Sequence, residues 1–367
     1  MIGGLLTATA LVCSLALPDT GAIAFISGEE QSKRNIHVYD FATRKSRGIG
    51  TGTHNGPPSW SPDGSRVAFT ARVNDRYGVA VVNLDGTDPK VMPLDQETVD
   101  DPPRWSPDGT RLACSTIQDE TPPRFDVAVW NLETSEVIRW GGDTRPSLRA
   151  PIWMPSTDLL MAIDVETQRD EMAQTLFTLR DEAEKNGVLI ALAWFPDKTL
   201  TEPVLVTPST TLPLLYLAKA PSDRSAEWNL RPDRKGRQIA FESDMGGDRE
   251  IYVLGKRGIV NVTNHPAADW NPRWSPDGRY LAFESFRDGR RGIYLTLVET
   301  ARVTPVAVSE SGDCWSPEWS PDGKWLAFVG DLESRPAIHV CHPDGSDRET
   351  IAMDTWALAP AWRPEGK

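Results

Sequence analysis

The residues best suited to hold a ligand come as a recurring set. Asp101, Asp223, Asp269 and Asp313 return at comparable places along the chain, with Asp100 beside the first. Trp270, Trp315 and Trp356 fall in segments of the same kind, and Arg104, Glu227, Arg273 and Glu318 follow a few residues on. Carboxylates and guanidiniums supply charge, and indole faces supply flat apolar area with a polar edge. Together they suit a peptide loop, a cationic tail or a sugar. The same residues admit a plainer use, in which each Asp bonds its own turn and each Trp packs between sheets.

Metal or catalytic chemistry finds less support. His37, His54, His265, His339 and His342 are scattered, with no HxxxH or HxH spacing. No G-x-S-x-G elbow, paired-carboxylate motif or phosphate loop stands out. The sequence calls for no cofactor, although calcium held by loop acids stays open. A net charge of −13 over 367 residues argues against nucleic acid as the natural partner.

The elements that position these residues are set by a repeat. Trp60-Ser61-Pro62-Asp63-Gly64 recurs unchanged at Trp105–Gly109, Trp274–Gly278 and Trp319–Gly323. Weaker copies begin at Trp153, Trp228 and Trp362, and the successive Trp spacings are 45, 48, 75, 46, 45 and 43 residues. Pro presets φ, Asp bonds the local backbone and Gly takes the awkward φ, so each copy is a turn. Runs such as "RVAFT", "RYLAFES" and "KWLAFV" follow, and read as half-buried alternating strands. A period of roughly 40–45 residues with four strands is a propeller blade. The chain therefore reads as an all-β, seven-bladed propeller of four-stranded blades filling residues 18–367.

Its first strand is missing at the start and present at the end. "AIAFIS", "NIHVYD" and "KSRGIG" match the second, third and fourth strands of a blade, and "LAPAWRPEG" at 358–366 supplies the first. Pairing of the two ends closes the ring and removes sheet edges. Blade four carries an insert at about 167–187, expected as a helix: Thr167 and Asp170 resemble a capping box, and Met172, Leu176, Leu179 and Ala183 keep helical spacing. "VLIALAWFPDKTLTEPVLVTP" then reads as third strand, turn and fourth strand. A linker follows at about 208–226. Residues 1–17 form an apolar run with Ser14 and Ala16 as small residues before a cleavage point, which reads as a signal peptide despite the lack of Lys or Arg. It is too short to span a bilayer. Cys114 takes the place of a core Phe, and Cys314 and Cys341 are expected to remain unbonded.

The WSPDG-plus-"AF" repeats resemble the TolB-type propeller family of WD-like repeats, over about residues 21–367. The resemblance implies the fold and a periplasmic or secreted setting. TolB itself carries an α/β domain ahead of its propeller, and nothing here corresponds to it, so the reading is of a relative and not of TolB. Prolyl-oligopeptidase relatives share the propeller but add a hydrolase domain. Oligogalacturonate lyases share it with a His-rich metal site in the channel, which no His cluster here matches.

In an up-and-down blade, the Ser-Pro-Asp-Gly turns lie on one face. The second-to-third and blade-to-blade loops lie on the other, called here the loop face. Asp101, Arg104, Asp269, Trp270, Arg273, Asp313, Trp315, Glu318 and Trp356 are the candidate ligand-binding residues at its mouth. The leading reading is a non-catalytic, monomeric propeller that binds a protein or peptide, or else a carbohydrate, with no membrane span in the mature chain. The alternative is a metal-dependent polysaccharide lyase or hydrolase with its site in the channel.

Overall fold

The repeat turn closes on itself. Ser61 Oγ donates to Asp63 Oδ1 at 2.5 Å and accepts from the Arg66 backbone N–H at 2.9 Å. Gly64 N–H donates to the Ser61 carbonyl at 2.8 Å, with a φ of 68° that favours glycine. Ser106–Asp108, Ser275–Asp277 and Ser320–Asp322 repeat the bond at 2.5, 2.5 and 2.6 Å. Hydrogen bonds from Ser61 and Ser65 hold the Asp63 carboxyl down at about 2, against the upward push of partial burial.

The computed structural model describes residues 17–365 apart from 74, 95–96, 99–100, 119–123, 141–147, 154, 156–158, 165–188, 194–227, 245, 256, 332–334 and 352–354. Six antiparallel blades are built from these residues. The first joins Ala22–Ser27, Asn35–Asp40 and Lys45–Gly48 to the C-terminal strand Ala357–Trp362. The second runs Ser59–Trp60, Arg66–Val73, Arg76–Asn83 and Lys90–Val91. In the third, Arg111–Gln118 pairs with a split inner strand, Glu97–Thr98 and Arg104–Trp105, and then come Arg124–Asn131 and Val137–Trp140. Three regular blades follow, opening on the inner strands Trp228–Pro232, Asp269–Trp274 and Cys314–Trp319.

The expected seven four-stranded blades are therefore corrected to six. Between the third and fourth of these blades lies a three-stranded sheet of Leu148–Trp153, Leu159–Asp164 and Leu189–Ala193, whose last two strands pair in parallel. An up-and-down blade has no parallel pair. Asp164 ends at the loop face, but Leu189, opposite Leu159, begins at the other face. The intervening chain therefore leaves and returns at opposite ends of the sheet. The expected helix at 167–187 lies outside the described residues, as do the linker and residues 1–16; no α-helix occurs among the described residues. None there is long and apolar enough to cross a membrane.

The second strands are buried on both faces, not one. Ala22–Ser27, Ile239–Ser243 and Leu326–Gly330 are buried at every residue. Neighbouring blades cover both sides of each sheet, so the alternation expected of a half-buried strand gives way to continuous burial. Phe25, Phe69, Phe241, Phe283 and Phe328 occupy this layer, with Cys114 among them in the third blade. Cys114, Cys314 and Cys341 are free and buried, and burial pushes their thiols up to about 12, 11 and 12.

A repeat Trp pins six of the seven sheets to the one before it. The indole N–H of Trp105 donates to the Ser59 carbonyl at 3.2 Å, Trp153 to Arg104 at 3.0 Å, and Trp274 to Arg231 at 2.8 Å. Trp319 donates to Arg273 at 3.0 Å, Trp362 to Glu318 at 3.1 Å, and Trp60 to Ala361 at 2.9 Å. The last pin crosses the junction of the chain's two ends. There Ile23 pairs with Trp362, Ala24 with Ala361 and Ile26 with Leu358. Arg363 Nε donates to the Gly64 carbonyl at 2.8 Å.

Candidate functional site

The inner strand Asp269–Trp274 shows how a blade delivers side chains to the loop face and the channel. Asn271 has a φ of 56°, and the register with Tyr280–Ser285 shifts between Trp270 and Arg273. This bulge separates an outer residue, Trp270, from a deeper one, Arg273. Ser316 and Asn229 make the same bend in their blades, at 54° and 55°.

The register also corrects the repeat boundary. Trp228 lies opposite Glu242 as Trp270 lies opposite Glu284, and Pro232 lies opposite Ile239 as Trp274 lies opposite Leu281. Trp228 is thus the counterpart of Trp270, and Pro232 takes the pinning Trp's place. The residue at the channel is Arg231, which the sequence reading passed over. Glu227 and Asp223 lie outside the described residues. Aligning "WNLRPDRKGRQIAFES" on "WNPRWSPDGRYLAFES" end to end contains this register.

A buried glutamate stitches blades together at the loop face. Glu284 accepts from Asn271 Nδ2 at 2.5 Å within its blade and from Ser316 N–H at 2.9 Å in the next. Arg291 Nε donates to its other oxygen at 2.5 Å. Glu242 repeats the pattern with Asn229 (2.5 Å), Asn271 N–H (2.6 Å) and Arg249 (2.8 Å). Anchored this way, the Arg291 guanidinium sits 5.5 Å from the ring centre of Trp270 and 5.5 Å from that of Trp315. Phe286 lies 5.2 Å from Trp270 and is 48% exposed. Trp270, Arg291, Trp315 and Phe286 thus form an aromatic shelf on two adjacent blades.

The other expected residues divide. Asp269 is fully buried and accepts from Arg287 at 2.7 Å, so it serves the wall. Burial raises its carboxyl, as it raises that of Glu250 nearby. Asp313 lies one register position before the Asp269 level, where its N–H donates to Asp331 at 2.5 Å. Trp356 precedes its inner strand and is 36% exposed, while Leu358 holds the shelf position in that blade. Glu318 pairs with Arg273 at 3.0 Å across two blades. Arg104 lines the channel, and burial together with the charge of Arg273 lowers it to about 10, opposed by Asp101 and Glu318. No group of three or more His, Cys, Asp or Glu able to hold a metal occurs among the described residues. His339 is buried and His342 stacks on Trp325 at 4.1 Å.

Comparison with known proteins bears on the fold. Residues 228–367 match the family model described as the TolB beta propeller domain, PD40. No curated protein matches the chain in sequence. Among solved structures, TolB from Acinetobacter baumannii superposes with a TM-score of 0.57 at 15% identity, covering 96% of this chain and 69% of that one. An oligogalacturonate lyase in complex with manganese gives 0.61 at 16% identity, covering 89% and 92%. The β-propeller domain of the trilobed protease from Pyrococcus furiosus gives 0.58 at 11%, covering 90% and 94%. At these identities the likeness is one of fold. Residues 228–367 thus match the TolB-type propeller repeats, and the chain as a whole has a TolB-like propeller fold.

Proposed function

We propose that this chain is a non-catalytic propeller of the periplasm or cell exterior that binds a protein or peptide on its loop face. The observation that carries the reading is the shelf of Trp270, Trp315 and Phe286 around Arg291. Large aromatics beside an arginine are the residue types that dominate protein interfaces. Phe286, Trp356 and Val91 are the exposed large hydrophobics among the described residues, and the first two lie on this face. The match of residues 228–367 to the TolB-type propeller repeats supports a binding platform in the envelope. In this reading Trp270, Trp315 and Trp356 contact the partner, Asp101 and Asp313 line the rim, and Asp269 holds the wall behind them.

The test is capture by crosslinking from the envelope fraction of the native host, followed by titration of the captured partner. Trp270→Ala and Phe286→Ala should each weaken binding by about 1–3 kcal/mol. Asp85→Asn and Asp344→Asn, in turns of the opposite face, should leave it unchanged. Loss of binding in those two with none in the shelf variants would move the site to the other face.

A further inference from the structure

Three arginines stand at one level of the channel. Arg104 lies opposite Ala113, Arg231 opposite Ala240 and Arg273 opposite Ala282, each on the inner strand of its blade. Glu318 holds the same level, opposite Ala327. Ser59 and Ala361 complete the polar and small positions there, opposite Ala68 and Ala24. Glu318 serves Arg273. Glu242, the other carboxylate near Arg231, is already engaged by Arg249, Asn229 and Asn271.

Among the described residues, Arg104 and Arg231 are left without such a carboxylate. The buried Arg231 Nε has no hydrogen-bond partner among the described residues. Asp101 offsets part of the charge of Arg104, but no ion pair joins them. Like charges held close in a medium of low dielectric repel strongly, and an unpaired buried donor costs further free energy. A small cavity of about 40 Å³ opens between the two arginines, bordered by Asp101, Ser115, Ile152 and Asn229. The chain carries −13 overall, so this positive spot is set within a negative protein.

We infer that Arg104 and Arg231 form a carboxylate-binding site in the channel, at the sheet junction between Ile152 and Pro232. Guanidinium forks match the two oxygens of a planar carboxylate, and the Arg231 Nε–H supplies a free donor for one of them. The cavity takes a carboxyl end and not a bulky phosphate ester. Arg273, held by Glu318, completes the positive side without being consumed. The site lies three residues deeper along the inner strands than the aromatic shelf and does not depend on a partner docking there. Its ligand is either a small free carboxylate or the carboxylate of a peptide.

Calorimetric titration of the full chain with succinate distinguishes these sources. A parallel arm uses a short acetylated peptide with a free C-terminus and its C-terminally amidated twin. Succinate, or the free-acid peptide alone, should bind saturably with a millimolar or tighter Kd that weakens with added salt. Arg231→Gln and Arg104→Gln should each weaken it at least about tenfold. Arg231→Gln should also melt no lower than wild type without ligand, because it removes an unpaired charge. Should that variant fail to fold, Arg231→Lys, which keeps the charge and loses the fork, should still weaken binding. Absence of saturable binding in both arms would overturn the assignment. So would equal binding of the amidated peptide, equal binding of inorganic phosphate, or wild-type affinity in the arginine variants.

Discussion

The indole of Trp60 and the backbone carbonyl of Ala361 are hydrogen-bonded at 2.9 Å across 301 residues of sequence. This bond, with the strand pairing beside it, turns a linear array of sheets into a ring. Trp60→Phe keeps most of the packing and removes the donor. It should cost about 0.5–1.5 kcal/mol for the bond, and more if the Ala361 carbonyl is left dry. Urea unfolding of the variant checks this. Deleting 357–367 should cost several kcal/mol, because a whole buried strand leaves. Retention of the wild-type midpoint by the truncated chain would show that closure does not stabilise the ring.

Glu284 ties three groups at the loop face, so Glu284→Gln should destabilise by about 1–3 kcal/mol by weakening the bonds to Arg291 and Asn271. The same change should shift Trp emission, since Arg291 is set between Trp270 and Trp315. Glu242→Gln is the matched case one blade earlier. Thermal melts followed by fluorescence read both effects, and a silent Glu284 variant would refute the stitching role.

The turn aspartates and the buried acids should pull stability in opposite directions with pH. Asp63 titrates near 2 when folded and near 3.9 when unfolded. The unfolded chain then binds the proton first as pH falls, so this contribution is present above about pH 4 and lost toward about pH 2. Asp63→Asn should flatten that acid limb, modestly, since the group is largely exposed. Glu250 and Asp269 are raised by burial, so the folded chain holds their protons longer. Stability from that source falls as pH rises above the unfolded carboxyl range. Glu250→Gln should remove part of this decline. Unfolding midpoints from pH 2 to 7 test both signs.

The propeller was legible because its signal is local and repeated. Ser61, Asp63 and Gly64 satisfy one another within a single turn, so their types survive in each full copy. The count of regular blades was not legible. Trp153 and the strand-like run at Leu159 look like a blade start, yet the parallel pairing of Leu159 with Leu189 is a long-range choice that no local pattern encodes. The shelf was half visible: Trp270 and Trp315 stand out by type, but Arg291 and Phe286 reach them from another loop. Arg231 was hidden because Trp228 mimics the repeat Trp, and only the register with Ile239–Ser243 separates the two.

The hydrogen bonds from indole to carbonyl all point one way around the ring, each blade holding its predecessor. Pro232 has no indole to offer, so among the described residues one joint of the hoop lacks this bond. A hoop with a single loose joint does not breathe evenly. Such a joint is where a ring yields most readily, and in this molecule it borders Arg231.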